Sequence, residues 1–318
     1  MSRWFLVSLL AAFAVLVVPA SAPAKTNVVV GIGDQSPAMF SNTYWQQLQL
    51  KRTRYFVHWN AIDNPTELAE TDAFVNAAKA RGVGVLLHLS SNDLRPKKGK
   101  LPSRNKYKSA AKRLVERYRP LGVKDWGVWN EANHVTQETY KSPKRAAQFY
   151  KAFRAIKCSS CNVVALDVLD QVGVTTYIKR WLRHAGSAAR KAKIIGIHNY
   201  SEVNRLRNKG SNKYPGTRRI INAVRKKNRT ARYWYTETGA LTKFGDGFPC
   251  SDTRPVKTIK HMFKLTKRFD RYVQRLYSYN WTGLATCDVR FDAGLTYANG
   301  EPRPVYHAFK SKLADFKK

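Results

Sequence analysis

Short runs of apolar residues alternate along this chain with longer stretches whose apolar positions recur at helical spacing. The short runs are Asn27–Ile32, Arg54–Trp59, Val83–His88, Asp125–Glu131, Asn162–Asp167, Ile194–Tyr200, Arg232–Gly239 and Arg275–Trp281. Their apolar content is continuous rather than alternating, as expected of strands covered on both faces. Between them a 3.6-residue period runs through Ser41–Leu50, Thr66–Arg81, Ala110–Tyr118, Pro143–Ile156, Thr176–Arg190, Thr217–Lys227 and Pro255–Phe269, and Tyr306–Phe316 closes the chain. Punctuation agrees with the periods. Gly82 follows a helical stretch as a stop, and Ser142-Pro143 opens another with a cap and a first-turn proline.

Eight strand–helix units at even spacing predict an α/β protein with parallel strands, and residues 25–318 match a single-domain (β/α)8 TIM barrel in size. A doubly wound open sheet is the alternative. It lacks support, because Gly31-Ile32-Gly33-Asp34 runs into Gln35-Ser36-Pro37 instead of opening a helix. No linker, low-complexity segment or short repeat interrupts the alternation.

A parallel barrel presents the C-terminal ends of all its strands at one rim. Two of the runs end there on a carboxylate: Trp129-Asn130-Glu131-Ala132-Asn133 and Thr236-Glu237-Thr238-Gly239. Closure would bring Glu131 and Glu237 together across the mouth. Asp34, His58, Trp59, His88, Asp167, His198, Tyr200 and Trp281 lie at other strand ends. Trp59, Trp129 and Trp281 are candidate platforms for the apolar faces of sugar rings, with Trp281 the leading one, and His88 joins the substrate-binding candidates.

These motifs resemble those of the retaining (β/α)8-barrel glycoside hydrolases, which carry catalytic glutamates on strands four and seven. Trp129-Asn130-Glu131 is similar to their strand-four motif, Glu237-Thr238-Gly239 to their strand-seven motif and His198-Asn199-Tyr200 to their strand-six pair. A proline often follows in the fourth-strand motif; Ala132-Asn133 stands here instead. The resemblance implies that Glu131 is the general acid/base and Glu237 the nucleophile. It further implies that Asn130 contacts the sugar 2-hydroxyl, that Tyr200 hydrogen-bonds the nucleophile beside His198, and that Arg54 supports Glu237. Paired carboxylates at about 5–5.5 Å perform retaining hydrolysis, and the charge of Glu237 is expected to raise the proton affinity of Glu131.

Charge adds a second theme. The 318 residues hold 57 Lys and Arg against 21 Asp and Glu, a net +36. Such a balance attracts polyanions: an acidic substrate glycan if the cations gather at the mouth, an anionic cell wall if they cover the back. Nucleic acid is not an expected partner, since charge alone points to it and recognition motifs are missing. Residues 1–24 read as a signal peptide. Arg3 precedes an apolar run over Trp4–Val18 and small residues at Ala20, Ala22 and Ala24. That run is too short to span a bilayer, so a secreted, extracellular monomer is expected.

Export permits disulfides. Cys158–Cys161 and Cys250–Cys287 bridges are expected, the other two pairings staying open. No cofactor motif occurs. Metal ligation by His58, His88, His134 and His198 is disfavoured, because no His-x-His ends the first strand and no HExxH is present. The expected function is a secreted retaining glycoside hydrolase acting on a polysaccharide or oligosaccharide, acidic or wall-derived glycans included. The alternative is a catalytically inactive barrel that binds anionic polysaccharide.

Overall fold

A computed structural model describes residues 26–95, 98–206, 216–288 and 290–318. The expected signal peptide lies outside these residues. Eight parallel strands close into a barrel: β1 (Val29–Gly33), β2 (Arg52–His58), β3 (Gly84–Ser90), β4 (Asp125–Gly127), β5 (Asn162–Leu169), β6 (Ile194–His198), β7 (Arg232–Thr238) and β9 (Val273–Tyr279). Two short strands, β8 (Lys243–Phe244) and β10 (Phe291–Asp292), form a separate antiparallel ribbon beyond the rim. The expected (β/α)8 barrel is the observed fold.

Helices follow the strands where the periodicity places them, with ends set by local chemistry. Asn64 accepts from the N–H groups of Thr66 and Glu67 at the head of the helix Pro65–Ala80, and Ser142 caps Pro143–Arg154 through Arg145 N–H. Each helix turns its apolar stripe onto the outside of the barrel, forming the main core. Leu86, Val164, Ile194, Trp234 and Tyr277 form a second buried cluster, drawn from five strands that meet only in the lumen. The barrel is therefore filled, and its chemistry is confined to the rim.

Two devices close the circle. Asp34, just past β1, accepts from Gln35 and Ser36 N–H through Oδ1 and from Trp281 and Thr282 N–H through Oδ2, tying the exit of β1 to the exit of β9. At the opposite end the C-terminal segment lies along β1: Val30 N–H donates to Lys317 O at 2.8 Å, and Lys317 N–H to Val28 O at 3.1 Å.

Both expected disulfides, Cys158–Cys161 and Cys250–Cys287, are present. No helix of the described residues is long and apolar enough to cross a membrane.

Candidate active site

Glu131 does not end a strand. β4 stops at Gly127, and the chain continues through irregular backbone that stays bonded to its neighbours, with Asn130 N–H donating to Leu89 O on β3 and Ala132 N–H to Asp167 O on β5. Glu131 itself has φ +40°, a left-handed conformation that side chains other than glycine rarely adopt. Its N–H donates to Asp167 Oδ2 at 3.1 Å, one of the contacts that hold it there. Strain of this kind persists where surrounding bonds over-determine the backbone, and it concentrates at functional sites.

Glu237 occupies the penultimate position of β7. Arg54 Nη1 donates to its Oε2 at 2.6 Å, and Tyr200 OH donates to its Oε1 at 3.0 Å. Arg54 also donates from Nη2 to Asn130 Oδ1 at 2.6 Å, so one buried guanidinium orients residues from both glutamate-bearing motifs. Carboxylate oxygens of Glu131 and Glu237 and a ring nitrogen of His198 all lie within 4.8 Å of one another.

His198 sits at the centre. Its Nδ1 lies 3.0 Å from Glu131 Oε1 and 3.8 Å from Glu237 Oε2, while Nε2 lies 2.9 Å from Asp167 Oδ2. Burial alone would drive the imidazolium's pKa down, yet the charges of Asp167 and Glu237 outweigh it and hold it at about 10. Burial likewise opposes ionisation of Glu131, but the bond from His198 and its charge lower that carboxyl's pKa. The expectation that Glu237 raises the proton affinity of Glu131 is therefore corrected. An imidazolium stands between the two carboxylates, and Arg54 already neutralises Glu237.

Asp167, on β5, is fully buried below the rim. Besides His198 and Glu131 N–H it accepts a hydrogen bond from the Thr236 hydroxyl. Burial would raise its pKa, and the charge of His198 more than reverses that. Gly196 makes room for it, since a Cβ there would meet Asp167 Oδ1 at 1.9 Å. Charges of +2 from Arg54 and His198 and −3 from Glu131, Asp167 and Glu237 leave this cluster with 2 − 3 = −1. Glu131, His198 and Glu237 could reach a single divalent ion. However, His198 already directs both ring nitrogens at carboxylates and Arg54 holds Glu237 Oε2. The set is organised around protons.

The mouth is a cavity of about 670 Å³. Asn130, Glu131, Tyr200 and Glu237 line its floor. Phe56, Leu169, Leu241, Phe244, Tyr279 and Phe291 form apolar walls, and Asp93, Arg95, His134 and Arg290 are its charged or ionisable rim.

Four sequence-predicted positions are placed elsewhere. Trp281 is 2% exposed and packs edge-on to Tyr306, because β9 ends two residues earlier than the apolar run suggests. Tyr279 takes the cavity position instead. Trp129 is buried and stacked on Phe149, and Trp59, half-buried against the outer core, does not line the cavity. Trp129 and Trp281 are therefore packed in the core and not open to a sugar ring. His88 lies two residues before the end of β3, fully buried under Arg54, with burial pushing its pKa down to about 3, so it is neutral and cannot touch substrate. Sequence reasoning missed Tyr279, Phe244 and Phe291, and it noted Asp167 at a strand end without assigning it a role.

No family model matches the sequence, and no curated protein does. Solved structures do. A family 39 glycoside hydrolase from Bacteroides cellulosilyticus WH2 superposes with a TM-score of 0.62 at 14% identity, covering 91% of this chain and 63% of that one. Xylanase B from Clostridium stercorarium F9 gives a TM-score of 0.58 at 15% identity, covering 91% and 99%. The Pseudomonas stutzeri endoglucanase Cel5A gives 0.59 at 13% identity, covering 92% and 97%. At such identities the likeness is one of architecture: this chain has the (β/α)8 barrel on which these glycoside hydrolases are built.

Proposed function

We propose that this protein is a retaining glycoside hydrolase that cleaves a polysaccharide or oligosaccharide by double displacement. The observation that carries this reading is the approach of Glu131 and Glu237 oxygens to within 4.8 Å at one mouth. That spacing suits a covalent intermediate, whereas inversion needs about 6.5–9.5 Å to admit a water. Glu237, held by Arg54 and Tyr200, attacks the anomeric carbon. The leaving oxygen takes its proton from the Glu131–His198 pair, whose shared proton rests on His198 before substrate arrives. Glycosylation then removes the charge of Glu237, and Glu131 serves as base toward water. The cluster's net negative charge favours the positive charge developing on the sugar. With Asn130 Oδ1 occupied by Arg54, its amide nitrogen is left to donate to the 2-hydroxyl.

Substrate charge follows from the rim. Among the described residues, Arg95 pairs with Asp93, and His134 Nδ1 lies 3.5 Å from Glu131 Oε2, which leaves Arg290 as the other basic side chain lining the cavity, short of the cluster that a uronate or sulfate polymer would use. This supports a neutral glycan, a β-glucan being the default of the resemblance, and the apolar walls suit sugar C–H faces. An apolar leader of signal-peptide form and two disulfides support export. The test is a panel of neutral and acidic polysaccharides with product stereochemistry followed by NMR. Retention is expected. Glu131→Ala and Glu237→Ala should each lower kcat by about 10³-fold or more, with azide rescuing transfer in opposite configurations. An inverted product from the unmodified enzyme would reject the mechanism. Binding to anionic polysaccharide with no hydrolysis of any glycan would support the inactive-barrel alternative.

A further inference from the structure

The positive charge is not spread evenly around the barrel. The helix Pro65–Ala80 carries Glu67, Glu70 and Asp72. By contrast, the helices Pro143–Arg154, Val174–Ala185, Gly216–Arg225 and Arg254–Arg268 contain no acidic residue. Between Glu138 and Glu202 the chain's only carboxylates are Asp167 and Asp170, and both are fully buried. Among the described residues, the flank formed by 139–225 thus exposes lysine and arginine without a surface carboxylate.

Within it runs a groove of about 590 Å³ between the ends of Val174–Ala185 and Gly216–Arg225, lined by Lys179, Arg183, Arg190, Lys226 and Lys227 over Leu182 and Ala223. All five cations are exposed, and none has a side-chain hydrogen bond or ion pair among the described residues. The position is informative. Helix C-termini lie at the strand starts, so the groove opens at the end of the barrel opposite the catalytic mouth. Basic residues are favoured in a last helical turn by the helix dipole. The dipole does not account for Lys179 one turn earlier, or for the lack of any compensating carboxylate among the described residues. Like charges gathered without counter-charge repel one another, and an anionic ligand relieves that repulsion.

We propose that this groove is a docking site for a linear acidic polysaccharide, holding the enzyme on an anionic matrix while the mouth stays open to substrate. Shape selects the occupant. The lining offers cations around a single concavity of about 590 Å³ over an apolar floor, which suits one extended polyanionic chain. No aromatic side chain lines it, which deprives a single-stranded nucleic acid of the stacking it depends on. Binding at the groove is independent of the catalytic reading, whereas its use in holding an enzyme on its matrix rests on that reading.

The experiment measures binding of the full protein to polygalacturonate at fixed ionic strength, with a neutral glucan, single-stranded DNA and duplex DNA as the other arms. The variant is Lys179→Glu/Arg183→Glu/Lys226→Glu. The control is Lys257→Glu/Lys260→Glu/Lys264→Glu, which changes the net charge equally on exposed positions of Arg254–Arg268. The groove variant should weaken polygalacturonate binding about tenfold or more and the control much less, since local charge reversal acts on the contact itself. Hydrolysis of a small soluble glycoside should be unchanged in both, which separates a docking defect from a catalytic one. Equal weakening by the two triples would reduce the effect to net charge and overturn the proposal. Preferential binding of either DNA, or polygalacturonate bound no better than neutral glucan, would overturn it as well.

Discussion

At the scale of single residues the site turns on His198, because its charge is borrowed. Asp167, which does not line the cavity, keeps it cationic from below. Asp167→Asn should therefore lower the pKa of His198 and move the alkaline limb of the kcat/KM profile to lower pH, with KM little changed. A profile that stays in place would make Asp167 a packing residue only. Stability follows the same sign. A histidine whose pKa rises from 6.5 unfolded to about 10 folded contributes fully below pH 6.5 and loses that contribution as pH climbs toward 10. Denaturant midpoints between pH 6.5 and 10 should fall in the parent protein and flatten in Asp167→Asn. Much of this cluster was legible in the sequence, because Glu131, Glu237, Asn130, His198 and Tyr200 sit in short motifs whose residue types leave few roles. Asp167 was not, since its function depends on which strand lies beside β6 and on the space that Gly196 leaves.

At the scale of elements, small errors of register had chemical consequences. Shifting the last barrel strand by two residues keeps side-chain parity but changes the layer, which is why Tyr279 reaches the cavity and Trp281 the core. His88 moved below the rim for the same reason, β3 running on through Leu89 and Ser90. Apolar runs locate strands well and their last residues poorly. The β8–β10 ribbon was invisible in the pattern, being two residues a side. It brings Phe244 and Phe291 to the cavity wall, with Phe291 edge-on to Tyr200 at 5.6 Å. Cys250–Cys287 bridges the two loops that carry it. Replacing both cysteines by serine should raise KM severalfold with a smaller loss in kcat, because the wall loosens while the floor stays in place. Steady-state kinetics on a soluble substrate decide this, and a proportional fall in kcat alone would show that the staple supports the catalytic groups instead.

At the scale of the whole molecule, the strand count and length were enough to anticipate the barrel, because eight alternations leave few ways to cover a parallel sheet. The net charge was equally plain, but its arrangement was not. Only the fold shows that Glu131, Asp167 and Glu237 gather at the mouth while Lys179, Arg183, Arg190, Lys226 and Lys227 line a groove at the opposite end. A chain that catalyses at one pole and carries its free cations at the other would have separable duties.

The pairing of the tail with the first strand has one more implication. Because Val28 and Val30 are clasped by Lys317, the first and last described segments run side by side, close enough for a short link to join them. Joining residue 318 to residue 26 through a short flexible linker, and reopening the chain in the exposed turn at Arg119-Pro120, should yield a permutant with the parent's circular dichroism and unfolding midpoint within a few degrees. Failure of that rearranged order to fold would mean that the clasp guides assembly as well as finishing it.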